Sequence, residues 1–299
     1  MKTILLFVFL IIVSIISVEA QKPIGISQDS LKFGKSIIPG LVVTIPEVNY
    51  EKTLKNWIKE LQSGTKSSVV TENSEMSIFG ARLKDITSTP LNIYSTMKNE
   101  DTLVRLSVSF ELKKDQYLGD EAFQSELSKA KLYLSDFAKD QYIDAVKGQV
   151  KDEEDKLSKI EKEIESLKRE EARLEKSILK SREEIILEKD KIIVYNNNLA
   201  SVSASIIEQN NQLLTMESGT QREEKEKYIK GLEKDKKSIL KSISSSEDKI
   251  NDANKTIDNA NRELPNNNLA KQNFQSQYDI QQAVVGQFND KLEKIKAYK

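Results

Sequence analysis

The sequence predicts a small α+β head, a small antiparallel sheet with helices, followed by a long antiparallel α-helical coiled-coil hairpin, so that the chain is mainly α overall. Four of the five prolines and six of the ten glycines lie before residue 120, as expected for turns between short elements. Apolar and polar residues alternate along Val104–Leu112, which is typical of a strand with one buried face. From Leu157 to Met216, apolar residues recur in alternating steps of three and four, the spacing of a coiled-coil seam.

Residues 1–20 have the features of a secretory signal peptide. Lys2 precedes an apolar run from Ile4 to Val18, and Val18-Glu19-Ala20 predicts cleavage before Gln21. An uncleaved anchor helix is the alternative, because the run is near the lower length limit for spanning a bilayer. No later segment is apolar enough to span a membrane, so we expect the mature protein in the periplasm or outside the cell.

Residues 21–120 are predicted to form the small α+β domain. A buried strand is expected at Leu41–Ile45, after the Pro39-Gly40 turn, and an amphipathic helix at Tyr50–Leu61. Further strands are expected at Ser67–Thr71, Met76–Leu83, Leu91–Met97 and Val104–Leu112. The order β-α-β-β-β-β followed by a long helix favours one antiparallel sheet covered by helices on one face.

Residues 121–217 are predicted to form one long helix that packs on the head first and becomes the first coiled-coil arm afterwards. Its early apolar stripe consists of Phe123, Leu127, Ala130, Leu134 and Phe137. Gly148, a poor helix former, marks the change of face and permits a bend there.

The seam of the first arm has two columns of residues, each repeating every seven positions. One column is Leu157, Ile164, Glu171, Ile178, Ile185, Ile192, Leu199, Ile206 and Leu213; the other is Ile160, Leu167, Leu174, Ser181, Glu188, Tyr195, Val202, Gln209 and Met216. Glu171 is the polar member of the first column. The polar positions Ser181, Glu188 and Gln209, with Ser246 and Lys236 of the second arm, are predicted to set the helix register; docking of a further helix is the alternative.

Residues 218–221 are predicted to be the hairpin turn, with Gly219 ending the first helix in a left-handed conformation. Residues 222–299 are the second arm, in which the seven-residue frame continues past Pro265 without losing phase. Pro265 is therefore predicted to kink or briefly break one arm. A turn near Gly219 pairs residues whose numbers sum to about 438, so Ile164 would face Phe274. This intramolecular pairing matches apolar with apolar positions, which parallel dimerisation of separate arms would leave unexplained.

The composition excludes several classes of chemistry. The chain has 46 basic and 47 acidic residues and no histidine or cysteine. The near-balance of charge argues against nucleic-acid binding. Without His or Cys there is no disulfide, no thiolate nucleophile, no Ser-His-Asp triad and no zinc site of the usual ligands.

Four features of the sequence could in principle form a binding or catalytic site, but for each of them another explanation is favoured. Trp57 is expected in the core rather than as a ligand platform. The basic helix face Lys52, Lys55, Lys59 and Lys66 is expected to be solvated rather than an anion site. The acidic run Asp152–Asp155 points in four directions on a helix, which disfavours a metal site. Repeated Ser-x-x-Lys, as at Ser63–Lys66, lacks its partner motifs. No catalytic, cofactor-binding or metal-binding residue is predicted, and no cofactor is expected.

The layout resembles uncharacterised exported proteins of Bacteroidetes-type bacteria that join a small N-terminal domain to a charged coiled coil. The resemblance rests on the signal peptide, Pro39-Gly40-Leu41-Val42-Val43, the Trp57 helix and the segment from Phe137 to Tyr142. It implies the same two-part architecture, and it provides no activity that could be transferred to this chain.

We therefore expect an exported, non-enzymatic coiled-coil scaffold or adaptor with protein partners. The coiled coil could also join copies of the chain. The alternative is a coiled-coil activator or inhibitor of an envelope enzyme such as a cell-wall hydrolase. An enzyme is the third class, and it would need an unrecognised carboxylate or lysine site in the head.

Overall fold

The structure is a computed structural model that describes residues 22–72, 74–119 and 123–297. The predicted signal peptide, residues 1–20, lies outside the described residues. The elements in chain order are β1 (Gly25–Phe33), β2 (Ser36–Pro46), α1 (Tyr50–Leu61), β3 (Val70–Glu72), β4 (Glu75–Ala81), β5 (Leu91–Glu100), β6 (Leu103–Lys113), β7 (Gln116–Tyr117), α2 (Gln124–Leu214) and α3 (Thr220–Ala297). An antiparallel sheet domain followed by two long helices, mainly helical overall, is thus confirmed.

The chain divides into two compact units, and the long helices contribute to both. The first, called the sheet unit, comprises the described residues of Met1–Leu157 together with those of Ile280–Lys299. The second, called the helix unit, is Ser158–Asp279. Each unit is described below by itself.

The strands of the described residues form one antiparallel sheet in the order β1-β2-β6-β5-β4-β3, with β7 paired to β6. On β6, Val104, Leu106 and Val108 are fully buried. The intervening side chains, such as Arg105 and Ser107, lie on the opposite face and are half-buried. This alternation means that one face of the sheet is apolar and covered.

The covered face packs against α1, the first turns of α2 and the last turns of α3. Their buried apolar side chains form one cluster with those of the sheet. From the helices it includes Trp57, Leu61, Leu127, Ala130, Leu134, Phe137, Ala138, Tyr142, Val146, Val150, Phe288, Leu292 and Ile295. The core of the sheet unit therefore combines residues from both ends of the described chain.

The predicted helix Tyr50–Leu61 is confirmed as α1. Asn49 caps it, because its side-chain oxygen accepts a hydrogen bond from the backbone N–H of Lys52 at 2.9 Å. The predicted strands Leu41–Ile45, Leu91–Met97 and Val104–Leu112 lie within β2, β5 and β6. Ser67–Thr71 and Met76–Leu83 overlap β3 and β4 with shifted ends.

The predicted order β-α-β-β-β-β was wrong in omitting β1 and β7. β1 is an edge strand whose residues are mostly polar and exposed, so its sequence lacks the alternation that predicts a strand. It forms because a tight turn at Gly34 (φ 57°) folds it back on β2. β7 is only two residues long and pairs with the end of β6.

Helix α2 is uninterrupted from Gln124 to Leu214 and therefore continues through Gly148. The predicted helix start at residues 120–122 lies outside the described residues. Val146 and Val150 belong to the core of the sheet unit, although they already follow the seven-residue frame of the seam.

The prediction that Gly219 ends the first helix in a left-handed conformation is wrong. Helix α2 ends at Leu214, and Gly219, with a φ of 158°, stands directly before α3. The backbone N–H groups of Arg222 and Glu223 donate to the Gly219 carbonyl at 3.0 and 3.2 Å. Nη1 of Arg222 also donates to the carbonyls of Leu213 and Met216 (3.3 and 3.0 Å), one in the last turn of α2 and one just after it.

Helix α3 continues through Pro265, so the predicted brief break is absent; the kink stays a prediction. Proline cannot donate to the carbonyl four residues earlier, which costs α3 one backbone hydrogen bond. The Asn266 side chain donates to the Arg262 carbonyl at 3.3 Å in the same turn.

Candidate interaction surfaces

Trp57 lies in the core of the sheet unit, as the sequence predicted. Its side chain is fully buried, and its indole N–H donates to Oγ of Ser95 on β5 at 3.0 Å. The Phe137 ring meets it edge-on with 5.0 Å between centroids. The ring therefore has no face open to a ligand.

The basic face of α1 and the acidic run of α2 differ in burial. Lys52, Lys55, Lys59 and Lys66 are all exposed, and Lys52 lies 3.7 Å from Asp144 of α2. Of Asp152–Asp155 only Glu153 is buried; it accepts hydrogen bonds from Lys156 at 2.7 Å and from Nε2 of Gln281 at 2.8 Å. Within the described part of the chain, no three Asp, Glu, His or Cys side chains are grouped closely enough to hold a metal ion.

A groove of about 600 Å³ lies between α1 and α2 in the sheet unit. Its lining residues are Asn56, Lys59, Glu60, Asp85, Lys129, Leu132, Tyr133, Asp136, Phe137, Asp140 and Gln141. The Tyr133 hydroxyl donates to Oε1 of Glu60 at 3.2 Å. Burial and the nearby carboxylates raise the pKa of Tyr133, which keeps it a hydrogen-bond donor. Asn56 likewise donates to Oε1 of Gln141 at 2.6 Å, so two pairs of polar side chains in the groove are bonded to each other.

In the sheet unit, a buried ion pair joins the end of α3 to the residue that follows β2. Nζ of Lys291, near the end of α3, lies 2.6 Å from Oε2 of Glu47, and the exposed fractions of the two side chains are 6% and 16%. Tyr142 and Gln149 of α2 each donate to the same carboxylate at 3.2 Å. Burial opposes ionisation of Glu47, but these three donors outweigh it and lower its pKa.

The backbone at Glu47 is held in an unusual conformation. Its φ is 58°, in the left-handed region that residues other than glycine seldom adopt. The Glu47 N–H donates to the carbonyl of Thr102 at 3.0 Å, beside the paired strands β2 and β6. No local sequence pattern indicates this centre, because Glu47 and Lys291 are 244 positions apart.

The helix unit contains a polar layer centred on Glu188. Its Oε1 accepts from Lys191 of the same helix at 2.7 Å and from Lys249 of α3 at 3.2 Å. Hydrogen bonding by Lys191 and Ser246, with a smaller part from Lys249, lowers the pKa of Glu188 to about 2. Glu188 and Ser246 are both buried, so these seam residues face each other between the helices.

Other contacts of the helix unit follow the same antiparallel order. Lys271 donates to Oε2 of Glu171 at 2.6 Å, and Lys225 donates to Oε1 of Gln212 at 2.6 Å. Between them lies an apolar cluster of Leu174, Ile178, Ala260, Ile257 and Leu264. As the residue number rises along α2, that of the α3 residue falls.

The polar seam positions differ in their burial. Ser181, Glu188 and Ser246 are buried, whereas Gln209 and Lys236 are half-exposed. That these residues set the register stays a prediction. Numbers that sum to about 438 place Glu171 opposite Asn267, which is buried; the ionic partner of Glu171 is Lys271, one turn further along α3.

Sequence reasoning missed a second apolar row on α2, in the helix unit. Seven large apolar side chains are between 55% and 82% exposed and are called the outer stripe: Leu179, Ile186, Leu187, Ile193, Val194, Ile207 and Leu214. Five of them are separated from one another by multiples of seven positions. Each of these five follows directly after a seam residue, such as Ile178 or Ile185. The same seven-residue count that found the seam would have found this stripe.

No protein-family model matches the sequence, and the search of curated proteins found no significant match. Among the described helices, none combines the length and the apolar character needed to cross a bilayer.

Proposed function

We propose that this protein is an exported, non-enzymatic scaffold or adaptor that binds a protein partner through an antiparallel coiled-coil hairpin formed by α2 and α3. The observation that carries the proposal is the outer stripe. The two helices already bury a seam against each other, and α2 still exposes a row of large apolar side chains. Exposed apolar surface arranged in this way is typical of a protein-binding site.

The hairpin is supported by the antiparallel order of the contacts in the helix unit. Glu188 with Lys249 and Glu171 with Lys271 are charged pairs between the helices. A polar residue buried in a coiled-coil seam favours one register, because any shift separates it from its partner. The seven-residue repeat of the seam is what left-handed supercoiling requires.

The hairpin can be tested with engineered cysteines, because the chain has none of its own. Ile178→Cys combined with Ala260→Cys should form a disulfide within one chain on oxidation, since both side chains belong to one buried cluster. Ile178→Cys with Leu240→Cys is the matched control and should stay reduced. Crosslinking of the first pair only between chains would contradict the hairpin.

Export is the second part of the proposal, and it rests on the N-terminal sequence. N-terminal sequencing of the protein from the envelope and the culture medium should identify Gln21 as the first residue. A chain that keeps residues 1–20 and sediments with membranes would instead support the uncleaved anchor.

The non-enzymatic part is supported by the residues themselves. The sequence has no His or Cys, and in the groove between α1 and α2 Tyr133 bonds to Glu60 and Asn56 bonds to Gln141. An enzymatic site would need carboxylates or lysines with free access to a substrate.

The partner proposal is tested by crosslinked affinity capture from the native envelope fraction. Wild type, Ile193→Lys in the outer stripe and Leu240→Lys on α3 are compared; Ile193 and Leu240 are 59% and 47% exposed. A partner should be captured by wild type and by Leu240→Lys and lost with Ile193→Lys. An envelope enzyme whose activity changes on binding would identify a regulator. Equal capture by all three would refute a role for the stripe.

A further inference from the structure

We propose that the outer stripe binds a second copy of this chain, in antiparallel orientation about a two-fold axis near Asn197. This inference deepens the scaffold proposal and rests on it. It names the occupant of the stripe and the orientation in which that occupant binds. Isologous two-fold contacts of this kind are the commonest way in which identical chains associate.

The first argument is the size of the stripe. A fully buried Leu or Ile removes roughly 60–120 Å² of apolar surface from water, so seven side chains that are mostly exposed present on the order of 400 Å². Patches of that size on a single chain mark interaction sites. Leu179 to Leu214 spans roughly 50 Å of helix, so small side chains along the same face would raise the contact toward the ~800 Å² per partner of a standard interface.

The second argument is the absence of charge at the centre of the stripe. Between Lys191 and Glu208 the sequence has no charged residue, although 93 of the 299 residues are charged. A nucleic acid or an anionic membrane would require basic side chains here. An uncharged centre is the surface that an identical uncharged centre can cover without electrostatic cost.

The third argument is the symmetry of the stripe. An antiparallel copy centred near Asn197 would pair residues whose numbers sum to 393. The pairs are Leu179 with Leu214, Ile186 with Ile207, and Ile193 with Ala200. The five stripe residues that lie at multiples of seven would therefore each meet an apolar residue of the other copy, and Leu187 and Val194 lie beside this row.

Charge on the same face selects the antiparallel orientation. Glu183 and Asp190 are exposed and lie four residues after Leu179 and Ile186, on the same side of α2. In a parallel pair, Glu183 of one chain would lie against Glu183 of the other, and Asp190 against Asp190. In the antiparallel pair Glu183 approaches Asn210 and Asp190 approaches Ser203, so the like charges are separated.

The stripe is free to take part because it does not belong to the seam. Ile178, which precedes Leu179 in the chain, is 8% exposed and packs in the cluster with α3, whereas Leu179 is 60% exposed. Two hairpins would therefore associate without opening either one. The new interface would be formed by the two α2 helices, with their axes about 8–10 Å apart.

Analytical ultracentrifugation of residues 21–299 tests the association. Wild type and Leu240→Lys should sediment as dimers at micromolar concentration. Ile193→Lys should weaken the dimer at least tenfold, because it places a charge in the uncharged centre. Helical content by circular dichroism should be the same in all three. A wild-type chain that stays monomeric up to about 100 μM, or a dimer that Ile193→Lys does not weaken, would overturn the proposal.

Cysteine crosslinking tests the orientation. Asn197→Cys, near the axis, should form a disulfide between two chains. Leu179→Cys alone should not, whereas a mixture of Leu179→Cys chains and Leu214→Cys chains should crosslink to each other. Self-crosslinking of Leu179→Cys without the mixed product would indicate parallel chains and refute the antiparallel pairing.

The two proposals fail separately. A monomeric wild type that still captures an envelope protein, with loss of that protein in Ile193→Lys, would refute self-association and keep the scaffold. Failure of Ile193→Lys to alter either dimerisation or capture would refute both.

Discussion

The sheet unit and the helix unit bury their side chains to different degrees. In the sheet unit many large residues, among them Trp57, Tyr142 and Ile93, have no exposed surface. In the helix unit the apolar cluster keeps 3–8% of each buried side chain exposed, and buried polar residues such as Glu188 and Asn267 share the interface. A sheet covered by helices encloses its core, whereas two helices can cover only one stripe of each other.

This difference in burial indicates which interactions select a single packing arrangement in each unit. In the sheet unit, close packing of side chains of different shapes selects one arrangement. In the helix unit the apolar residues repeat every seven positions, so several registers bury similar area. There Glu188 and Glu171 make charged contacts with α3, and we propose that these contacts distinguish one register from the others.

The largest effect is expected for Trp57→Ala in the sheet unit. The substitution leaves a cavity between β5 and Phe137 and removes the hydrogen bond to Ser95. We expect a loss of about 3–5 kcal/mol in the free energy of unfolding, measured by urea titration. Ile37→Ala, at a residue that is 73% exposed, is the control and should change it by less than about 0.5 kcal/mol. A loss below about 1 kcal/mol for Trp57→Ala would show that this core is not closely packed.

A smaller loss is expected for Lys291→Met, which leaves the Glu47 carboxylate without its cation. We expect about 2 kcal/mol at pH 7, below the ~3–5 kcal/mol of fully enclosed pairs, because Glu47 keeps some solvent contact. The folded state lowers the pKa of Glu47, so its contribution to stability is present above the pKa of the unfolded state. That contribution is lost as the pH falls through the folded-state pKa.

The difference in stability between wild type and Lys291→Met should therefore narrow on acidification. Lys296→Met, whose lysine is exposed and pairs with Glu293 three residues earlier, serves as the control. A difference that is constant from pH 7 to pH 3 would argue against the ion pair as its cause.

In the helix unit, Ile178→Ala should cost only about 1–2 kcal/mol, because the site is shallow and can partly collapse. Native-state hydrogen exchange should show faster exchange of amides within Ser158–Asp279. Amides of the sheet, such as those of β5 and β6, should keep their protection. Leu240→Ala is the exposed control. If amide exchange became equally faster in both units, the two units would unfold together and would not differ in stability.

The smallest effect is expected for Lys249→Met, since Lys191 still pairs with Glu188. Carbon-detected NMR titration of the glutamate carboxyls should find a pKa of about 2 for Glu188 in wild type and a higher value in the variant. The stabilisation from Glu188 is present above the unfolded-state pKa and lost as the pH falls towards 2. Lys255→Met should leave Glu188 unchanged; an unchanged pKa in Lys249→Met as well would exclude the contact between the helices.

The sequence by itself determined the elements that have a strong local period. Steps of three and four predicted α2 and α3, alternation predicted β6, and an amphipathic pattern predicted α1. These periods are visible because a helix or strand with one buried face must repeat apolar residues at its own spacing. The seven-residue repeat also contained the outer stripe, one position away from the seam.

Only the tertiary structure decided which surfaces meet. β1 has no apolar alternation of its own and becomes a strand by pairing with β2. Glu47 and Lys291 come together because the last turns of α3 pack in the same core as the sheet. Gly219 lies before α3, and Arg222 donates across this turn to the carbonyls of Leu213 and Met216. None of these contacts repeats at a regular spacing, so a local period carries no information about them.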